Sequence, residues 1–282
     1  MKPRSGQQNG ADTRQKNPQE DHEEEEVRQR TAIGPHVVHS AVLAEGESEL
    51  ERPTSALAYS GLAAGMSMGF SFLTEGFLRA NLPSTPWALL IAKLGYSMGF
   101  LIVILGRQQL FTENTLTPML PVFEKRKLDV LLNTLRLWGA VFLANWIGTM
   151  AFAWIVGHES IIDETMRPYF VAMGYEAMNH NFGTVLVRGI FAGWLIALLV
   201  WLLPFAEAAR VWVIILMSYL IALGSFNHVV AGSVDTFYLV VMHEKTFGQY
   251  LGGFMLPTLI GNIIGGIALV AALAHAQVKS GH

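Results

Sequence analysis

The sequence predicts an all-α membrane protein: six transmembrane helices in an inverted repeat, with the second and fifth interrupted. Three observations carry this. The 282 residues are 52% apolar and only 15% charged, with a mean hydropathy of +0.38, where a soluble domain of this size carries about 25% charged residues. The charge is segregated, because residues 1–52 hold 11 of the 22 acidic and 7 of the 19 basic side chains. The rest of the chain is a series of apolar stretches, two of them too long for one membrane-spanning helix and broken by polar residues.

Taken in order, residues 1–35 are rich in Gln, Glu, Asp, Asn and Arg, and the run Glu23-Glu24-Glu25-Glu26 repels itself. Such a composition buries too little apolar surface to fold alone, so a disordered acidic tail is expected. Its polarity also predicts no cleaved leader. Between residues 36 and 52, Val37, Val38, Val42, Leu43 and Leu50 recur at helical spacing, which suggests a short interfacial helix. The six stretches of the transmembrane domain (53–277) lie near 53–79, 87–120, 137–157, 184–203, 211–241 and 253–275, and 278–282 form a short C-terminal tail. The loop after the second stretch carries Lys125, Arg126, Lys127 and Arg136, whereas residues 158–183 carry Arg167 against Glu159, Asp163, Glu164 and Glu176. Positive charge stays on the cytoplasmic side, so both termini are expected in the cytoplasm of a cell bounded by this inner membrane. With no cysteine there is no disulfide or thiolate metal site. No metal, cofactor or nucleic-acid partner is expected.

The breaks concentrate the chemistry. The second stretch is interrupted at Arg107–Asn114 and the fifth at Gly224–His228, continuing to Ala231-Gly232-Ser233. Non-helical backbone at membrane depth must be buried in protein or line a cavity, and paired breaks in two halves point to a midplane site. Thr112 is followed 33 residues later by Asn145, and His228 is followed 34 residues later by Asn262. His228, beside Asn227, is the first candidate, since an ionisable group at this depth is expensive. Thr112 can hold either His tautomer or an anion oxygen. Leu110 and Phe111 beside it suit an apolar constriction or plain packing. New helix N-termini at the breaks expose N–H groups that favour anions. Arg107 and Arg188 can draw anions into a vestibule, or form structural ion pairs with Glu113 or Asp235. Glu75 and Lys93 fall in the snorkelling zone. Asn145 and Asn262, each followed by glycines at Gly148, Gly265 and Gly266, suit clamps across helices, and Asn262 is also within the candidate ion path.

Leu110-Phe111-Thr112-Glu113-Asn114-Thr115, Phe226-Asn227-His228-Val229-Val230-Ala231-Gly232-Ser233 and Gly261-Asn262-Ile263-Ile264-Gly265-Gly266 resemble, in order and spacing, three signatures of the formate/nitrite transporter family. The resemblance runs from about Leu50 to Gln277, and Arg107–Thr115 with the acidic tail is similar to the YfdC-type branch. It implies an aquaporin-like subunit assembled as a homopentamer, with one pore per subunit for formate, nitrite, hydrosulfide or related small inorganic or carboxylate anions. It implies that Thr112 and His228 meet at the pore centre. Tyr96, Phe100 and Ile221 are then expected at one constriction, and Leu110 and Phe111 with Ile196 at the other. Two positions depart from the family: Asn227 stands where many members have Glu, and Gly193 aligns where many have Asn. A neighbouring carboxylate would raise an imidazole pKa, so its loss separates this chain from detailed mechanisms of formate channels. The expected function is transport, not enzymatic: a weak-acid anion enters a mildly positive vestibule and crosses an apolar constriction, where His228 offers a hydrogen bond or a proton. Two alternatives are a non-conducting sensor or scaffold, and an intramembrane hydrolase using Ser233 with His228.

Overall fold

The computed structural model describes residues 34–279 apart from 160 and 207. The expected acidic tail up to residue 33 and the final residues 280–282 lie outside the described residues. The described chain is all helical. Helix α1 (Pro35–Glu51) precedes α2 (Thr54–Asn81). Helix α3 (Pro86–Ala92) continues through a 3-10 turn at Lys93–Tyr96 into α4 (Ser97–Leu105), and α5 (Met119–Lys125) follows an irregular segment. Then come α6 (Leu128–His158), α7 (Arg167–Met178), α8 (Phe182–Leu202), α9 (Arg210–Leu223), α10 (Ala231–Val241), α11 (Phe247–Tyr250) and α12 (Leu256–Lys279), the last two joined by a π-helical turn. Five helical segments have the length and apolarity to cross a bilayer, and α9 and α10 are two shorter apolar pieces. Together α9 and α10 make the expected fifth stretch. Helix α7, inside the 158–183 loop, was not expected.

The two halves are built alike. Helix α4 ends Leu105-Gly106-Arg107 and α9 ends Leu223-Gly224-Ser225, and Arg107 and Ser225 both turn the chain with left-handed φ values of 49° and 48°. The terminating bonds match one for one. Arg107 N–H reaches Ile104 O and Gln108 N–H reaches Val103 O, while Ser225 N–H reaches Ala222 O and Phe226 N–H reaches Ile221 O. This satisfies the last carbonyls of each helix and sends the chain back toward the middle of the bundle. The α2–α6 and α8–α12 pairs pack through glycine. A Cβ on Gly65 would overlap the Asn145 backbone, and one on Gly193 would overlap the Asn262 backbone. Gly193 is therefore one of the close approaches between α8 and α12, with Gly189, Gly261 and Gly265, and a side chain as large as Asn there would push them apart.

Helix α1 spends its apolar stripe on protein. Val38, Val42 and Gly46 are buried, with the valines packed against Leu116, Met119, Leu120 and Trp201. Arg136 pins the α1–α2 elbow by donating to Leu50 O, Arg52 O and Thr54 Oγ1. Outward-facing Leu135, Leu143, Ile147 and Trp154 of α6 remain exposed, an apolar surface of the kind that lipid or a neighbouring subunit covers.

Candidate functional site

Two asparagines hold the breaks. Asn145 on α6 accepts from Phe111 N–H (2.8 Å) and donates to Gln109 O (2.9 Å) and Gly61 O (2.7 Å). Asn262 on α12 accepts from Val229 N–H (2.8 Å) and donates to Asn227 O and Gly189 O, both at 2.8 Å. Each amide therefore satisfies two backbone groups of the break that no helix reaches, which a membrane interior without water requires. This register corrects the pairing expected from spacing. Leu110, not Thr112, is the counterpart of His228, because each lies between the two residues its asparagine clamps.

Thr112 nevertheless reaches His228 across the centre, with 2.6 Å between Thr112 Oγ1 and His228 Nε2, and both residues are buried. The Ala231 N–H donates to His228 Nδ1 at 3.1 Å. A ring nitrogen that accepts cannot carry a hydrogen, so the neutral imidazole is the Nε2–H tautomer, and Nε2–H donates to Thr112 Oγ1. The threonine hydroxyl hydrogen is left as a donor. Protonating Nδ1 would set two N–H groups against one another, so the arrangement opposes the expected role of His228 as a proton donor.

Apolar side chains surround this pair. Phe100 presents its ring edge-on to His228 at 5.0 Å between centroids, and Tyr96 packs on Phe100 at 5.3 Å. Leu110, Phe100, Ile196 and Ile221 are fully buried in the same cluster. Phe111 is also buried, but its ring packs on Phe142 and Trp138 of α6, at 5.1 and 5.9 Å, which accounts for its burial by packing alone.

A cavity opens on each side. At the α1 end, a space of about 530 Å³ is lined by Arg52, Arg107, Arg210, Gln108, Gln109, Glu45, Glu49 and Glu113. Arg107 is exposed there, and among the described residues it pairs with neither Glu113 nor Asp235. Glu49 of α1 accepts from Gln109 Nε2 (3.0 Å) and Thr117 Oγ1 (2.7 Å), tying α1 to the break. Burial pushes the Glu49 carboxyl above its ordinary range despite both bonds. At the distal end, a cavity of about 60 Å³ reaches His228 and is lined also by Asn227, Asp235, Tyr96, Ile221, Lys93, Glu75, Arg79 and Glu176. Arg188 is not among its lining residues. It lies partly buried on the same side, close enough that its charge, after desolvation, helps hold His180 below the ordinary histidine value.

Glu75 and Lys93 do not snorkel. They are 5% and 8% exposed. Glu75 Oε1 accepts from Arg79 Nε and Nη2 at 3.0 and 2.7 Å, and Arg79 also bridges to Glu176 at 2.6 and 2.9 Å. Lys93 Nζ donates to Ala222 O (2.6 Å) and Ser225 Oγ (3.3 Å), capping α9. Arg79 is an i,i+4 neighbour of Glu75, but Glu176, Ala222 and Ser225 lie far away in sequence, so no local signal announces them. Ser233 donates to Val229 O (2.5 Å) and accepts from Tyr250 OH (2.9 Å). Both bonds turn it away from His228, and the nucleophile–base arrangement a hydrolase needs is not formed.

Comparison with known proteins identifies the family and the fold. The formate/nitrite transporter family profile matches residues 36–276. The Escherichia coli (strain K12) inner membrane protein YfdC is 44% identical over 243 residues, covering 86% of this chain and 78% of that protein. The formate channel FocA of Haemophilus influenzae is 22% identical over 247 residues, covering 78% of this chain and 86% of that protein. Two solved structures share the fold at 17% identity. A pentameric formate channel with formate bound gives a TM-score of 0.69 over 80% of this chain and 98% of that one. An FNT family ion channel gives 0.72 over 87% and 99%.

Proposed function

Since the chain belongs to the formate/nitrite transporter family, we propose that each subunit conducts small monovalent anions of weak acids, of the size of formate, nitrite or hydrosulfide. The observation that carries this reading is the 2.6 Å contact between Thr112 and His228, where two clamped breaks meet inside an apolar sleeve. In this sleeve an anion loses hydration, which is costly unless a donor replaces it. The neutral imidazole donates to Thr112 Oγ1, and the threonine hydroxyl hydrogen donates to the passing ion. A single donor without a fixed cation lowers the barrier without trapping the anion, as conduction requires. Lys125, Arg126, Lys127 and Arg136 favour a cytoplasmic α1 end, and the acidic 158–183 segment an outer distal end. The pentameric relative and the apolar outer face of α6 support a homopentamer in the inner membrane.

The test is flux from purified protein in sealed liposomes, comparing formate, nitrite, hydrosulfide, chloride and fluoride. At least one weak-acid anion should cross faster than in empty vesicles. Thr112→Val should slow it about 10- to 100-fold, since a buried donor left unpaired costs about 1–3 kcal/mol, and Thr112→Ser should restore most of it. Vesicles impermeable to all five ions would refute the reading.

A further inference from the structure

The distal cavity holds five charged groups, and most are committed. Arg79 is spent on Glu75 and Glu176, and Lys93 on the Ala222 carbonyl and the Ser225 hydroxyl. Two polar groups remain. Asn227 is 4% exposed and its Nδ2 has no hydrogen-bond partner. Among the described residues, the Asp235 carboxyl receives no side-chain donor. Both line the cavity that ends at His228. Asp235 lies in the first half of α10, and it and His228 line the same cavity. With Asp235 protonated, the remaining lining charges, Glu75 and Glu176 against Arg79 and Lys93, cancel. A mouth without net positive charge offers little to a bare anion but accepts one that acquires a proton.

Resting on the transport reading above, we propose that Asn227 and Asp235 form a loading site in which a small oxyacid is taken up as the neutral acid. The Asn227 amide donates to one oxygen of the ligand. The Asp235 carboxyl O–H gives its proton to the other oxygen, so the O–H bond to aspartate breaks and an O–H bond to the ligand forms. The products are a neutral acid and a carboxylate, and hydronium from the solution at the distal mouth reprotonates the carboxylate, leaving water. The neutral acid then crosses the apolar sleeve at far lower desolvation cost than its anion. The cavity of about 60 Å³ limits the ligand to a few heavy atoms. His228 is unsuited to the proton step because its Nδ1 already accepts from Ala231 N–H. The other titratable or charged groups facing Asp235 are Glu75, Arg79, Lys93, Tyr96 and Glu176. Of these, Glu75, Arg79 and Glu176 are locked in one ion-pair cluster.

The experiment measures initial formate flux in proteoliposomes across external pH, for the parent protein, Asp235→Asn, Asp235→Glu and Asn227→Leu. The parent's formate uptake should rise as external pH falls. Asp235→Asn should flatten that dependence and slow formate about tenfold, and Asp235→Glu should keep the dependence. Asn227→Leu should raise the half-saturating formate concentration about tenfold with the pH dependence intact. An Asp235→Asn protein with the parental pH profile overturns the proposal, and so does an unchanged formate affinity in Asn227→Leu. If Asp235→Asn fails to fold, the Asn227→Leu affinity decides. A parent that moves no weak acid at any pH instead overturns the transport reading.

Discussion

The sharpest test of the architecture is removal of either asparagine clamp. Asn145→Leu strands the Phe111 N–H and the Gln109 carbonyl, and Asn262→Leu strands the Val229 N–H and the Asn227 carbonyl. Both asparagines are fully buried, and leucine is close in size, so overpacking contributes little. A buried backbone group without a partner costs about 1–3 kcal/mol, so each substitution should remove about 2–6 kcal/mol. That is a large share of the roughly 5–15 kcal/mol that holds a typical domain together. For a chain of this length about 1 kcal/mol moves the thermal midpoint by about 2–4 °C, so a drop of at least about 5 °C is expected for each variant. Unfolding of the detergent-solubilised protein, followed by loss of its monodisperse peak, should be compared at one heating rate because the process is irreversible. The matching geometry also requires the two losses to be similar. If either leucine variant melts with the parent, or one is harmless while the other is ruinous, the clamps do not hold the breaks as argued.

Two further outcomes follow from the packing. Gly65→Ala and Gly193→Ala should each lower the thermal midpoint and the yield of folded protein, because the added methyl meets the Asn145 or Asn262 backbone; Gly139→Ala, with open space around it, should be neutral or slightly stabilising on the same assay. Burial raises the Glu49 carboxyl above its unfolded value, so its contribution is fullest below the ordinary carboxylate range and fades as pH rises through the raised value. Amide hydrogen exchange of α1 should therefore be slower, after correction for intrinsic rates, at acidic than at alkaline pH, and Glu49→Gln should remove that difference.

Much of this arrangement was legible in the sequence. Helix positions followed from apolar length, and both breaks from polar residues where a span had no room for them. His228, Thr112 and the two asparagines stood out because polar groups at that depth need a reason. The exact register did not follow. Spacing pairs Thr112 with Asn145, but the clamp bonds the backbone on either side of Leu110, and only the path of the returning chain decides which residues those are. Glu75 and Lys93 were misplaced for a similar cause. A charge near a helix end, even with Arg79 four residues from Glu75, reads as snorkelling until Glu176 reaches Arg79 from 97 positions away, and Ala222 meets Lys93 from 129 away. Helix α7 stayed hidden because its sequence mixes Arg167, Glu176 and Gly174 with apolar residues and lacks the length of a span.

The near-equivalence of the halves isolates where the two sides of the centre differ. Helix ends, turns and clamps repeat, so the backbone presents two similar walls to the centre. At the equivalent position one wall carries Leu110 and the other His228. Leucine can only exclude water there, whereas the imidazole, fixed by Ala231, orients the hydroxyl of Thr112 from the opposite wall. The mouths differ too: one is wide and lined by three arginines and three glutamates, and the other is narrow, with its cations already engaged. An ion leaving the centre thus meets an open, arginine-bearing space on one side and a small polar chamber on the other. On the proposed reading, the chamber is the side for handing over a proton close to the barrier, and the wide space is the side on which a released acid ionises. Unequal side chains on a near-symmetric backbone would then separate loading from release without requiring the two halves to move apart.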